Sequence, residues 1–460
     1  MESLIAIAGL VALVWGAVVF CRGGLLGGCL AVLLCGCCFG SAWFRLPTDP
    51  IPLTLDRALW LALMVQYVFW RRWGLADPKA LGKPDVLLFV FFGVLFASTF
   101  AHDWQSQGAA PAARLLFFWI MPLGMYWVAR QSVLTERGGL AIFGGLALFG
   151  IYLAITALAE TRQLGWLAFP RYIVSPEYPE FLGRARGPLL NPVGCGLFQV
   201  VCLSSLLLWW PRLGRRGQLL LLGLAGLITA GIWSTLTRSV WIGAGAGMLI
   251  MAGAALPRGW RMPALGCALL VGAVVVASGW ERFLAFKRDR NLDAQAAAES
   301  VELRPVLAMV AWKMFLDRPL AGCGFGQYLS ASRDYVSDRS TDLVLEKAAP
   351  YVQHNTFLAL LTETGLPGAA LFVAVLVLWS REAWRLWRTP TAPLWVRQTG
   401  LLLLVLTSNY AINAMFHDVS IIAMVNMLLF FLAGVTTGLR GKGEWGGRNG
   451  EWGRGDAVMG

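Results

Sequence analysis

The sequence predicts an all-α polytopic membrane protein, with about 12–13 transmembrane helices and one large, partly helical loop outside the cytoplasm. Three observations predict it. Of 460 residues, 57% are hydrophobic and only 14% charged, where a soluble domain carries about 25% charged residues. Mean hydropathy is +0.63, and apolar runs of roughly 18 residues or more recur from end to end. The 52 Gly and 22 Trp fit the class, since Gly permits close helix approach and Trp settles at the lipid headgroup level.

Taken in order, the apolar runs give thirteen candidate spans: 4–20, 24–43, 54–70, 85–101, 113–129, 139–159, 191–210, 218–236, 238–256, 262–280, 356–379, 398–416 and 419–438. The first lacks a basic leader and a small-residue cleavage site, so it reads as a span and not as a removable signal. Arg71, Arg72, Lys79 and Lys83 mark one set of connections, followed by Arg130 and Arg137. Arg212, Arg215 and Arg216 continue it, then Arg258 and Arg261, then Arg381, Arg385, Arg388 and Arg397. The positive-inside rule places these on the cytoplasmic side and also accounts for the net charge of +12 without nucleic acid. The chain then divides into a bundle at 1–280, a large loop at 281–355, further spans at 356–438 and a Gly/Arg/Trp-rich cytoplasmic tail at 439–460, expected to be disordered.

The 281–355 loop is about 75 residues long, beyond the length at which charge dictates sidedness. Leu303, Val306, Leu307, Val310 and Met314 recur at helical spacing, which predicts an amphipathic helix at the membrane interface, stopped by Pro319. GCGFG at 322–326 reads as a backbone turn. No P-loop, HExxH or zinc spacing appears, and eight of the nine Cys lie in or beside spans, with Cys323 in the loop. No metal site and no cofactor are expected.

Among three His, His102 reads as solvated, and His417 with Asp418 as a turn between spans. His354 ends the polar loop, precedes Asn355 and opens a span. Histidine titrates near neutrality and can take a proton from a hydroxyl. Arg184 and Arg186 precede GPLLNPVG, Arg238 lies between two spans, and Arg304 opens the loop helix. An arginine beside a span is costly unless paired or functional. The bland readings are snorkelling to headgroups or a salt bridge; the functional reading is a diphosphate site, because guanidinium grips phosphate oxygens in pairs.

These residues also carry a resemblance. Arg304 lies fifteen residues before Pro319, and PLAGCGFGQY (319–328) supplies a glycine turn. His354, Asn355, Glu363, Gly365, Leu366 and Gly368 follow, while RARGPLLNPVG (184–194) and LTRSVWIGAGAG (236–247) lie upstream. Over roughly 180–380 the chain resembles the O-antigen ligase and O-antigen polymerase superfamily of bacterial envelope proteins. It departs from that pattern at Ala308, where the family usually has Trp, at Ser239 for Gly, and at Val193 for Asn.

The resemblance implies a metal-independent, inverting glycosyltransferase in the bacterial inner membrane, working on its periplasmic face. The donor would be a glycan on undecaprenyl diphosphate. The acceptor would be lipid A core (a ligase), a growing repeat (a polymerase) or a protein hydroxyl (an oligosaccharyltransferase), with membrane lipid as surroundings and no nucleic acid partner. His354 would be the base, Arg186 and Arg304 the diphosphate clamp, Arg238 and Arg184 nearby, and Asn355 a partner of His354 or the loop. A lipid-linked glycan transporter is the reading from another class, disfavoured because the polar residues gather at one face and not at the midplane.

Overall fold

A computed structural model describes residues 22–46, 52–105, 110–257, 294–349 and 351–440, with isolated positions at 16, 259–263, 266–267 and 270. The spans expected at 4–20 and 262–280, the first part of the 281–355 loop and the tail after 440 lie outside or largely outside the described residues. So do the side chains of 294–302.

Helices make up 75% of the structure. They are α1 (Arg22–Cys38), α2 (Leu55–Arg72), α3 (Lys83–Phe100), α4 (Pro111–Arg130), α5 (Glu136–Thr161), α6 (Pro192–Leu207), α7 (Arg215–Ser234) and α8 (Arg238–Ala255), then α9 (Ala294–Asp317), α10 (Thr356–Arg388), α11 (Leu394–Phe416) and α12 (Ala423–Arg440). The two-residue strands β1 (Arg45–Leu46) and β2 (Leu53–Thr54) pair antiparallel. Among the described residues, nine helices are long and apolar enough to cross a membrane. They are α3–α8 and α10–α12. The chain is thus an all-α, multi-pass membrane protein. Of the other expected spans, α1 forms but is short, and α2 carries Asp56, Arg57, Arg71 and Arg72 within its 18 residues.

The breaks in these helices are built to be filled. Pro122 has no N–H for the carbonyl four residues back, and α4 widens into a π turn at Leu116–Ile120. The freed Phe118 carbonyl accepts from Asn426 Nδ2 of α12 at 2.9 Å, and Asn426 Oδ1 accepts from Tyr410 of α11 at 3.1 Å. One proline thus creates a polar socket that registers three helices. At the other end of α4, buried Arg130 pairs with buried Asp85 of α3 at 2.8 Å, and Tyr126 donates to the same carboxylate at 2.6 Å.

Successive helices run in alternating directions. The first turn of α3 and the last turns of α4, α10 and α12 therefore meet at one end, with Lys83, Arg130, Arg381, Arg385 and Arg440. The opposite end gathers the starts of α4, α6, α8 and α10 and the ends of α3, α5, α7 and α11. All six candidate site residues, at 184, 186, 238, 304, 354 and 355, lie toward this opposite end.

The loop helix α9 differs from expectation. Its apolar face, Val306, Leu307, Val310, Ala311 and Met314, is buried with Cys323, Tyr328, Leu345 and Ala348. It forms the core of a small body made by the loop itself, with Leu358 of α10 packed against it. A face with partners of its own chain is not free for lipid.

Candidate functional site

The site is assembled around an interruption in α10. Gly365 has φ 67° and ψ −172°, which breaks the helix after two turns, and Pro367 withholds the N–H that would have reached the Glu363 carbonyl. The freed carbonyls are taken by the loop. Cys323 N–H donates to Thr362 O at 2.8 Å and Gly324 N–H to Glu363 O at 3.0 Å, while Leu366 N–H returns to Pro319 O at 2.8 Å. The GCGFG turn is a clip that closes on the broken helix. It must be glycine-rich: a Cβ on Gly365 would sit 2.4 Å from Leu320 O, and one on Gly324 2.5 Å from the His102 ring. His102 is thus half-buried against the clip, and its Nδ1 lies 2.9 Å from Ser98 O. It is not the solvated residue expected from sequence.

Beneath the clip, buried Glu363 pairs with Arg114 of α4 at 3.2 Å, and the Arg114 guanidinium lies 5.3 Å from the Phe325 ring centroid. Ser98 ties α3 into the same knot, donating to Glu363 O at 3.1 Å and accepting from Phe325 N–H at 2.9 Å. Sequence reasoning missed Arg114. The signal was present: one arginine and one glutamate, each within a span, are costly apart and stable together.

The clip fixes the first two turns of α10 against the loop core, and this sets His354. Asn355 is the N-cap, its Oδ1 accepting from Phe357 N–H at 2.9 Å and Leu358 N–H at 3.0 Å, while its Nδ2 donates to Met415 O of α11 at 3.0 Å. Thr356 bonds the Asp418 carboxylate at 3.2 Å and accepts from Val419 N–H at 2.9 Å; Asp418, not His417, caps the 419–421 turn. His354, one residue before the cap, is exposed. It shares a cleft of about 150 Å³ with Arg304, Leu307 and Ala308 of α9, Gln353, Leu358, and Met415 and Phe416 of α11. The structure therefore brings His354, Asn355 and Arg304 together. Ala308 leaves the α9 wall of that cleft small.

The other arginines sit elsewhere. Arg186 is 1% exposed. Its Nε and Nη2 both donate to Ile173 O, at 3.1 and 2.6 Å, and its Nη1 donates to the Tyr178 and Glu180 carbonyls. The Arg186 and Gly187 backbone N–H groups bind Glu160 at 2.8 and 3.1 Å. Arg184 is buried as well, donating to Thr235 O at 3.2 Å and Thr237 Oγ1 at 2.6 Å, where α7 turns into α8. These two line a separate cavity of about 450 Å³ with Glu160. Arg238, half-buried, begins α8, and α8 packs along α11. The last residues of α11, Met415 and Phe416, line the His354 cleft, and Arg238 is not among the cleft residues.

Residues 223–373 match the family model for O-antigen ligase. Over that stretch the chain is similar to the O-antigen ligase superfamily. No curated protein matches the sequence. The matched stretch takes in Arg238, Arg304, the glycine clip, His354 and Glu363, and ends eight residues past Gly365. Arg184 and Arg186 fall outside the matched residues. Members of this family are glycosyltransferase-like enzymes.

The cleft pairs an imidazole, a group able to accept a proton near neutral pH, with a guanidinium, able to hold two phosphate oxygens; both lie within the matched residues. Cys323 does not compete as a nucleophile, because burial pushes its thiol up to about 12 and keeps it protonated. Among the described residues no group of three or more His, Cys, Asp or Glu is arranged to hold a metal ion.

Proposed function

We propose that the chain transfers a glycan from undecaprenyl diphosphate to a hydroxyl of lipid A core, on the periplasmic side of the bacterial inner membrane. The observation that carries this reading is the shared cleft of His354 and Arg304, at the end of the bundle opposite the arginine-rich helix ends. The positive-inside rule makes that arginine-rich end cytoplasmic and the cleft periplasmic.

In this mechanism His354 removes the proton from the acceptor hydroxyl as its oxygen attacks the anomeric carbon. The bond from that carbon to the diphosphate oxygen breaks on the opposite face, the diphosphate leaves with the electron pair, and configuration inverts. Arg304 balances the charge growing on the diphosphate. Arg238, on the neighbouring helix, is the second cation for the donor. Arg184, Arg186 and Asn355 act as positioning residues. Their polar atoms already hold backbone groups, so of the two arginines expected to clamp the diphosphate, Arg304 takes that part in this reading.

The test is transfer by the purified protein from a defined undecaprenyl-diphosphate glycan to lipid A core. H354A is expected to abolish transfer, and R304K to impair donor use because it keeps charge but loses the planar fork. Full transfer by H354A would sink the base assignment; elongation of the donor glycan in place of capping the core would make the activity a polymerase.

A further inference from the structure

A cavity of about 500 Å³ that the proposed chemistry leaves unused lies at the arginine-rich end. Its floor is the Asp85–Arg130 pair, buried and complete. Above it, Glu382 is shared by Arg440 and by Arg385, the latter at 3.5 Å. Lys83 and Arg381 line the same cavity and are exposed. Five cationic side chains thus face two carboxylates, an excess of three positive charges around one concavity. Forked guanidinium groups of this kind suit phosphate oxygens.

A second observation specifies what the phosphate is attached to. On α10, Val373, Val377 and Arg381 recur every fourth residue and share one face; the two valines are 43% and 58% exposed. On α3, Lys83, Val86 and Val90 likewise share a face, and those valines are 52% and 49% exposed. The two helices pack against each other in opposite directions. Each helix therefore carries a short bare apolar stripe that ends on a cation of the cavity. A small soluble phosphate has no use for the stripes, whereas a lipid needs both parts.

We propose that this cavity binds the phosphodiester headgroup of an anionic phospholipid, held by Lys83, Arg381 and Arg385, with its acyl chains along Val373, Val377, Val86 and Val90. Basic pockets between spans on the cytoplasmic side are suited to this chemistry. The site is separate from the His354 cleft and does not depend on the transferase reading.

The experiment is native mass spectrometry of the purified full chain in micelles doped with phosphatidylglycerol, phosphatidylcholine or inorganic phosphate. Wild type is expected to retain phosphatidylglycerol in preference to phosphatidylcholine, and millimolar inorganic phosphate is expected not to displace it. R381Q/R385Q should retain it roughly 30-fold less, at the usual contribution per basic residue. K83Q, on a different helix and with the Asp85–Arg130 pair intact, should retain it about fivefold less. R71Q/R72Q removes equal charge from the exposed end of α2 and should behave as wild type. Equal retention by K83Q and wild type, an equal loss in the Arg71/Arg72 control, or displacement by inorganic phosphate would each overturn the lipid assignment. Thermal unfolding of each variant, matched to wild type, separates lost binding from lost fold.

Discussion

Two segments at one end of this bundle carry the same parts. One is 184–194, with Arg184 and Arg186 ahead of an asparagine-capped helix; the other is 304–358, with Arg304 and then Asn355 capping α10. Asn191 and Asn355 do the same work, each accepting from two backbone N–H groups of the first turn at 2.9 and 3.0 Å. The arginines do not. Arg186 is enclosed and its donors are spent on carbonyls of the 160–190 loop, whereas Arg304 lines an open cleft beside an exposed histidine. Residue type and location suggest function equally for both; what separates them is that Arg186 is 1% exposed and held by loop carbonyls, while Arg304 shares its cleft with the histidine.

The largest expected effect sharpens that contrast from the ligand side. H354A should lower transfer by about 10²–10⁴-fold with an unchanged melting temperature, because the side chain is exposed. R186A should do the reverse. It strands buried carbonyls and unravels the 160–190 loop, costing about 3 kcal/mol, read as a lowered melting temperature. R304A should lose activity with the melting temperature intact, and equal thermal losses for R186A and R304A would erase the comparison. G365A comes next, at about 2–3 kcal/mol, from a positive φ and a Cβ driven into Leu320 O; limited proteolysis should show the loop released from α10. Smallest are N191A and N355A, about 1 kcal/mol each for a lost cap. If the caps are equivalent, the two thermal shifts match; N355A should additionally reduce transfer, since it loosens the helix start that presents His354.

Much of this was legible in the chain. Nine of the apolar runs became membrane-length helices, because a run of about twenty apolar residues has few other ways to satisfy its backbone in lipid. The glycine turn at 322–326 and the helix after Arg304 were readable from local patterns. What escaped was nonlocal. Glycine and proline at 365 and 367 announce an interruption, but nothing nearby says that the partners of the freed carbonyls are Cys323 and Gly324. The burial of Arg186 depends on carbonyls donated by a loop without periodicity. The face of α9 was identified correctly and its neighbour was not, since an amphipathic stripe fits a bilayer surface and a small protein core equally well.

The interruption at Gly365 has a mechanical consequence. Residues 356–364 are stitched to the glycine turn by two backbone hydrogen bonds and to the α9 core through Leu358, while the rest of α10 is welded into the bundle against α3 and α11. The start of α10 is also bonded to Met415 O of α11, to Asp418 just after α11 and to Arg114 of α4. The short helix that presents the imidazole is therefore a junction where the loop core and the bundle are pinned to each other.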